Sequence, residues 1–594
     1  MKKNNHKAYP KQKMDKKSLT KLVLSLKKYY WMIALASVLL IVCVVLSILA
    51  PQVLKKLTDE ITSNAGTQSI DMGKIAYYGL ILSLFYVASA ICSYCSTFIM
   101  NDVTQYYSRD LRELISHKIN KLKLKYFDEH PYGDTLSIVT NDVDQIAQSL
   151  QQTISSLIQS IFMLIGVLIA MFITSWQMAL TVLSIIPLMG IFFVIVIKFA
   201  MPQFKKRQEL IASVNSTVEE NFTGQLIIKL FNAEDKKTLE FSNENERLHW
   251  TMFKAQFFGG LFQPILSFIS YFAYVAVCVV GGLLMNNGNI ISFGTISAFL
   301  VYVNLFQSPL SQIGQSMNSL QMANASAIRV FDFLDQDEIE DESNKPIIFN
   351  EEIKGKVEFK NVKFGYEENK TIIPNFSALI QPGMKVAIVG PTGAGKTTMV
   401  NLLMRFYEIE EGDILIDDVS TRKMSKKEIR NLFGMVLQDT WLFEGSIKEN
   451  IIYSKENVSD ETLNKAIKEA NLKHLIETLP GGVNHIISDN SQISSGQKQL
   501  ITIARAMVEN APLMILDEAT SNVDTRTEEL IQKAMDRLTR GRTTFVIAHR
   551  LSTIRNADLI LVMKDGNIIE QGNHEELMKQ EGFYASLYNS QFEL

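Results

Sequence analysis

Lys385-Val386-Ala387-Ile388-Val389-Gly390-Pro391-Thr392-Gly393-Ala394-Gly395-Lys396-Thr397-Thr398 decides how the second half of this 594-residue chain folds. A short apolar strand pattern runs directly into GxxxxGK[ST], and Met399-Val400-Asn401-Leu402-Leu403-Met404-Arg405 continues as a helix pattern. In this strand, loop and helix context the glycines let backbone N–H groups close around phosphate oxygens. The helix start adds its oriented dipole. Lys396 supplies a point charge to the outer phosphates, and the Thr397 hydroxyl supplies an oxygen for magnesium.

Outward from that loop, Val357, Phe359, Val362 and Phe364 mark one face of an earlier strand. A later apolar run, Leu513-Met514-Ile515-Leu516, ends in Asp517-Glu518, the expected position for a metal-orienting carboxylate at the carboxyl edge of a parallel sheet. Adjacent residues of an extended chain point to opposite sides, so the two acids take different roles. Asp517 is assigned to magnesium and Glu518 to the attacking water as general base. Ser494-Ser495-Gly496-Gln497 precedes a helix pattern from Lys498 to Ala506 and forms a second phosphate site of the helix-start kind.

The order Tyr366, Gly390 to Thr398, Gln438, Ser494 to Gln497, Asp517-Glu518, Ser521-Asn522-Val523-Asp524 and His549 closely resembles the ATP-binding cassette of ABC transporters. The resemblance implies that Tyr366 stacks on adenine, that Gln438 links magnesium to the membrane domain, and that His549 contacts the terminal phosphate. It further implies that Asp524 belongs to the loop following the catalytic acid. The Ser494 to Gln497 signature would serve the nucleotide held by an opposite cassette, so two chains are needed. ATP and Mg2+ are the implied cofactors. Phe127-Asp128-Glu129-His130-Pro131-Tyr132-Gly133-Asp134 with Thr140-Asn141-Asp142 is similar to the first cytoplasmic loop of the exporter branch, and Gly224 to Phe231 is similar to the second.

The first half reads as membrane. Runs of about 18 or more uncharged, mostly apolar residues are long enough to span a bilayer, and six result. They are 29–54, 75–100, two within the uncharged stretch from Asp144 to Lys198, and two between Lys254 and Arg329. Ser175-Trp176-Gln177 and Asn286-Asn287-Gly288-Asn289 supply the turns. The expected fold is therefore an α-helical six-span transmembrane domain followed by an α/β P-loop cassette. Its expected divisions are a lysine-rich tail over 1–28, membrane domain over 29–330, linker over 331–354 and cassette over 355–594. Lysines crowd the tail and basic residues fill 101–151 and 198–254, which places these segments and the cassette on the cytoplasmic side of the cell membrane.

Leu19, Leu22, Val23 and Leu26 suit either an interfacial helix on anionic lipid or an extension of the first span. Pro187, Pro264 and Pro309 favour kinks in spans four to six. Cys43, Cys92, Cys95 and Cys278 all lie in apolar runs, where a thiol packs as a small hydrophobe. The net charge of -3 with no dominant basic face excludes a nucleic-acid partner. The six spans exclude a soluble ABC ATPase acting on DNA or ribosomes. No intramembrane charge marks an ion path. Gln263, Tyr271, Tyr274, Tyr302, Asn304, Phe306, Gln307 and Gln312 instead offer an uncharged polar and aromatic lining for an amphipathic or hydrophobic cargo, whether drug, lipid or peptide. No cysteine-protease pattern accompanies the lysine-rich tail, which weighs against a peptide-processing exporter. An ATP-gated channel and an importer on the same scaffold stay open.

The family's signature usually reads LSGGQ, whereas this chain has Ile493-Ser494-Ser495-Gly496-Gln497. A side chain at Ser495 should loosen the approach of backbone to phosphate. Ser488 to Gln492 lacks the usual acidic-glycine pattern, and Ser521-Asn522-Val523-Asp524 replaces SALD. With Glu518 intact, this combination resembles the catalytic subunit of bacterial heterodimeric exporters. Its partner would be a different half-transporter with a normal signature and an impaired catalytic site. A homodimer that tolerates serine is the alternative.

Overall fold

A computed structural model describes residues 16–63, 71–286, 291–342, 344–345, 353–367, 370–488, 493–517, 524–548 and 551–592. The chain forms two compact units, Met1–Lys121 with His130–Gln336, and Leu122–Glu129 with Asp337–Leu594.

The first unit is helical. Lys16–Ser25 runs through a 3-10 helical turn over Leu26–Tyr29 into the long helix Tyr30–Ser63. Leu22, Leu26 and Tyr29 are buried while Val23 and Leu24 are exposed, so the stripe read from the sequence is narrower than expected. Lys21 ion-pairs with Asp335, which pins this short helix within the unit. Met72–Lys121 runs for 50 residues, about 75 Å at the helical rise, well beyond the apolar stretch that begins it.

Among the described residues five helices are long and apolar enough to cross a membrane: Lys17–Ser63, Met72–Lys121, Tyr132–Thr174, Glu234–Asn286 and Phe293–Leu334. The fourth expected span is divided rather than continuous. It folds as Trp176–Leu183 and Ile186–Thr223, with a turn at Ser184 and Ile185. Pro187 lies in the first turn of the second piece, where its missing N–H costs nothing. The Ser184 hydroxyl donates to the Thr181 carbonyl at 2.7 Å at the end of the first piece. Pro264 follows a single-residue irregularity at Leu261 within Glu234–Asn286, whereas Pro309 sits inside the 42-residue helix Phe293–Leu334.

Val167, Met171, Met178, Val277, Phe299 and Tyr302 form the centre of this unit. Trp31, Ile173, Val194 and Val275 are strongly exposed, as expected where the solvent is lipid. Asp59 fixes the start of helix Phe293–Leu334: its Oδ1 accepts from Gly294 N at 2.8 Å and its Oδ2 from the Ser292 hydroxyl at 2.9 Å. A Cβ on Gly294 would lie 2.2 Å from the Lys55 carbonyl oxygen. Gly294→Ala is therefore expected to destabilise the unit by about 1–3 kcal/mol, read as a lower apparent Tm of the detergent-purified protein.

The second unit contains strands β1 (Val357–Glu367), β2 (Lys370–Ile380), β3 (Lys385–Val389), β4 (Glu411–Ile416), β5 (Val419–Ser420), β6 (Phe433–Val436), β7 (Gly445–Ser446), β8 (Ile486–Ile487), β9 (Leu513–Asp517), β10 (Thr543–Ile547), β11 (Leu559–Lys564) and β12 (Asn567–Gly572). An antiparallel sheet has the order β2-β1-β4-β5, and the main sheet has the order β12-β11-β3-β10-β9-β6. In the main sheet β3, β6, β9, β10 and β11 are parallel, and β12 is an antiparallel edge.

Alternate residues of the buried strands feed two cores, as the period of two requires. Ala387, Val389, Met514, Leu516 and Val546 face one, together with helix Ser495–Glu509; Val386, Ile388, Leu513, Ile515 and Phe545 face the other. On β1 the buried residues Val357, Phe359, Val362 and Phe364 break strict alternation, and a register shift between Phe359 and Val362 accounts for the extra residue.

Candidate functional site

Parallel strands with a common direction bring their carboxyl ends to one edge, where α/β sheets bind ligands. β3 ends at Val389 and leads into the glycine-rich loop; β6 ends at Val436, two residues before exposed Gln438; β9 ends on Asp517; and β10 ends at Ile547. Ile547 pairs with both Ile388 and Asp517, so β10 links the loop strand to the acid-bearing strand. Glu518, Ser521, Asn522, Val523 and His549 lie outside the described residues.

Gly390, Pro391, Thr392, Gly393 and Ala394 turn the chain from β3 to the helix Lys396–Leu403. Gly395 is the N-cap, with φ 98°, a conformation that a Cβ would strain. Lys396 Nζ donates to the carbonyls of Gly390 at 2.6 Å and Pro391 at 3.1 Å, folding the side chain back over its own loop. Burial pulls this ammonium below the usual lysine range, and the Asp517 carboxylate opposes the shift. Thr397 is exposed at the first turn, while Thr398 is buried and accepts the Tyr366 hydroxyl at 3.2 Å.

Tyr366 is half-buried, with its ring edge-on to Phe364 (centroids 5.0 Å apart) and Tyr407 (4.9 Å). The structure thus places the expected adenine-stacking residue beside the phosphate loop. It also adds Tyr407, which sequence reading did not single out. A second contact missed there is the turn Asp565-Gly566 between β11 and β12, whose Gly566 N–H donates to the Ala394 carbonyl at 3.2 Å. The Asp-Gly pair between two apolar runs was the available signal.

Ser494 is the N-cap of Ser495–Glu509 in a complete capping box: its hydroxyl accepts from Gln497 N at 3.3 Å, and Gln497 Oε1 accepts from Ser494 N at 2.9 Å. Ser494 and Ser495 are exposed, and Gly496 is buried. The helix therefore begins three residues earlier than its periodicity suggested, inside the signature itself. Asp524 caps Thr525–Thr539 by accepting from Thr527 N at 3.0 Å, and that backbone bond holds its carboxyl below the usual range.

Thr397, Gln438 and Asp517 all offer oxygen near one sheet edge, which suits a hard cation. Among the described residues no group of three or more His, Cys, Asp or Glu side chains could enclose a metal. The donor set fits magnesium that arrives with phosphate and keeps water, rather than a closed protein cage.

Residues 33–310 match the family model described as ABC transporter transmembrane region, and residues 373–521 match the model described as ABC transporter. The chain is 43% identical over 521 residues to a fatty acid ABC transporter ATP-binding/permease protein of Mycobacterium bovis, covering 88% of this chain and 82% of that one. It belongs to the ABC transporter family.

An ATP-dependent lipid A-core flippase of Desulfotalea psychrophila is 37% identical, covering 86% of this chain and 89% of its own length. A probable multidrug resistance ABC transporter ATP-binding/permease protein of Bacillus subtilis is 36% identical, covering 87% and 76%. This ABC transporter is an exporter-type half-transporter: a multi-pass membrane domain precedes a cassette whose ATPase activity is coupled to transport. The cassette binds ATP, and exporters of this type act as dimers.

Of the expected cargo-lining side chains, Tyr302 and Phe306 are buried in the membrane unit's core. Gln307 accepts the Ser270 hydroxyl, and Gln312 accepts the Ser160 hydroxyl at 3.0 Å, so both tie helices together. Tyr271, Asn304 and Gln263 are exposed.

Proposed function

We propose that this ABC transporter moves an amphipathic or hydrophobic substrate, a drug, lipid or peptide, outward across the cytoplasmic membrane by alternating access. The observation that carries this reading is the union, in one chain, of a phosphate loop at a parallel-sheet edge with a membrane unit whose exposed faces are aromatic and aliphatic. The names of its relatives, a fatty acid transporter, a lipid A-core flippase and a probable multidrug resistance protein, support a cargo of that chemistry. Tyr366, Lys396, Thr397, Gln438 and Asp517 hold MgATP in this reading. Bound magnesium supplies charge neutralisation across the outer phosphates. Glu518 takes the proton of the attacking water, and His549 steadies the terminal phosphate.

The working assembly is a pair of unlike chains. Ser495, exposed where the usual signature has glycine, supports this asymmetry beside Glu518. The Ser494 to Gln497 signature and Asp524 then complete the partner's impaired site, and the partner's normal signature completes the site built on Lys396 and Glu518. Purified alone and reconstituted, the chain is expected to hydrolyse ATP slowly. Adding the partner should restore ATP-driven uptake of a fluorescent lipid or dye into inverted vesicles. Brisk ATPase activity from the self-dimer overturns the heterodimer, and ATPase without uptake of any amphipathic probe overturns export.

A further inference from the structure

Within the second unit a cavity of about 630 Å³ lies between Leu122–Phe127, Ile339-Glu340 and the segments around Arg405–Glu408 and Arg422–Arg430. Its lining carries six cationic side chains, Lys123, Lys125, Arg405, Arg422, Lys426 and Arg430, against the carboxylates of Glu340 and Glu408. Most of those cations are already matched. Arg405, 8% exposed, pairs with Glu342 at 2.9 Å and Glu408 at 3.1 Å, and Lys426 reaches Glu408 at 3.1 Å. Lys123 faces Asp337 at 3.9 Å, and Lys125 faces Glu129 at 3.7 Å.

Two arginines are not matched in this way. Among the described residues the exposed Arg422 guanidinium donates to the Ile409 carbonyl, at a long 3.4 Å, and to no carboxylate. The Arg430 guanidinium lies 5.0 Å from the Phe406 ring centroid, and its Nε is buried without a hydrogen-bond partner. Burial works against the charged form of Arg430; the Glu342 carboxylate opposes that shift, and the neighbouring Arg405 charge adds to it more weakly. Arg430 as a whole is half-buried, but its Nε is shut away from water, and a buried donor left unpaired is expensive. Glu342 acts on that charge, but it is already shared among Arg405, Lys345 and the Lys426 backbone N–H, which leaves room for a further anion. A carboxylate fills one guanidinium fork; a phosphate or diphosphate has oxygens enough to reach two.

We propose that this cavity binds a small phosphate-bearing anion, held by Arg430 and Arg422, with Leu124–Glu129 forming one wall. Tyr407, whose hydroxyl donates to Asp128, ties that wall to the segment that follows helix Lys396–Leu403. Occupancy therefore bears on a segment that the chain inserts into this unit between two stretches of the membrane unit. The site is separate from the phosphate loop, and it stands whether or not the export reading does.

The test uses the purified transporter in phosphatidylcholine nanodiscs, with its ATP sites filled by a non-hydrolysable analogue and magnesium. Inorganic pyrophosphate is titrated by calorimetry. Saturable binding is expected, weakened about tenfold or more by Arg430→Gln and by Arg422→Gln, and less by Arg430→Lys. Repeating the titration with phosphatidylglycerol in the disc separates two sources of the same chemistry: competition identifies a lipid headgroup, and unchanged binding identifies a soluble anion. Absence of saturable binding with the ATP sites filled overturns the proposal, as does undiminished binding in a folded Arg430→Gln or Arg422→Gln protein.

Discussion

Replacing Glu518 with glutamine is expected to lower ATP turnover by about 10²–10⁴-fold, the usual contribution of a positioned general base, while nucleotide binding survives. The amide keeps the size of the acid and loses only its ability to take a proton. Its predecessor Asp517 closes β9 in register with Ile547 of β10, at the sheet edge where the phosphate loop begins. Steady-state ATPase assays with the assembled transporter, paired with equilibrium binding of a fluorescent ATP analogue, measure both quantities. Turnover equal to wild type would remove Glu518 from the chemistry.

Lys396→Ala should fail differently. The ammonium sits over the carbonyls of Gly390 and Pro391 and is the cation within the loop itself. Its loss takes charge from the nucleotide in both ground and transition states, so affinity and turnover fall together. Turnover is expected to drop by about 10²–10³-fold, as for removal of one preorganised donor to developing charge. Because Lys396 is only half-buried, fold stability should change by about 1 kcal/mol or less. Binding distinguishes the two variants: Glu518→Gln retains the analogue and Lys396→Ala releases it. Retention of wild-type affinity in Lys396→Ala would contradict the phosphate-loop assignment.

The cassette was largely legible because its signals are local. Lys385 to Val389 is apolar and short, the glycine spacing is narrow in meaning, and Leu513 to Leu516 is too brief and too buried in character for anything but an inner strand. Capping residues are equally local, and Ser494 and Asp524 both begin helices. Hydropathy located the apolar stretches of the membrane half, but it could not show that residues 177–198 divide at Ser184 and Ile185. Proline reports a lost donor, and only packing decides whether it starts a helix, as Pro187 does, or rides inside one, as Pro309 does.

Long-range partners were not legible at all. Nothing near Tyr407 announces Asp128, which is 279 positions away, and nothing near Gly566 announces Ala394. The burial of Tyr302 and Phe306 was not legible for a related reason: in an apolar helix, an aromatic turned toward its neighbours and one turned toward a cavity obey the same periodicity.

Leu122–Glu129 is drawn from one half of the sequence and built into the other. The cassette is thus a spliced object, whose boundary cannot be reproduced by cutting the gene once. A fragment beginning at the linker would have Tyr407 without its acceptor and an open flank where Leu124 and Phe127 belong. Its solubility and its resting ATPase rate would report on that wound as much as on the enzyme. Grafting the cassette onto another membrane domain would need to carry the short helix Leu124–Glu129 across with it.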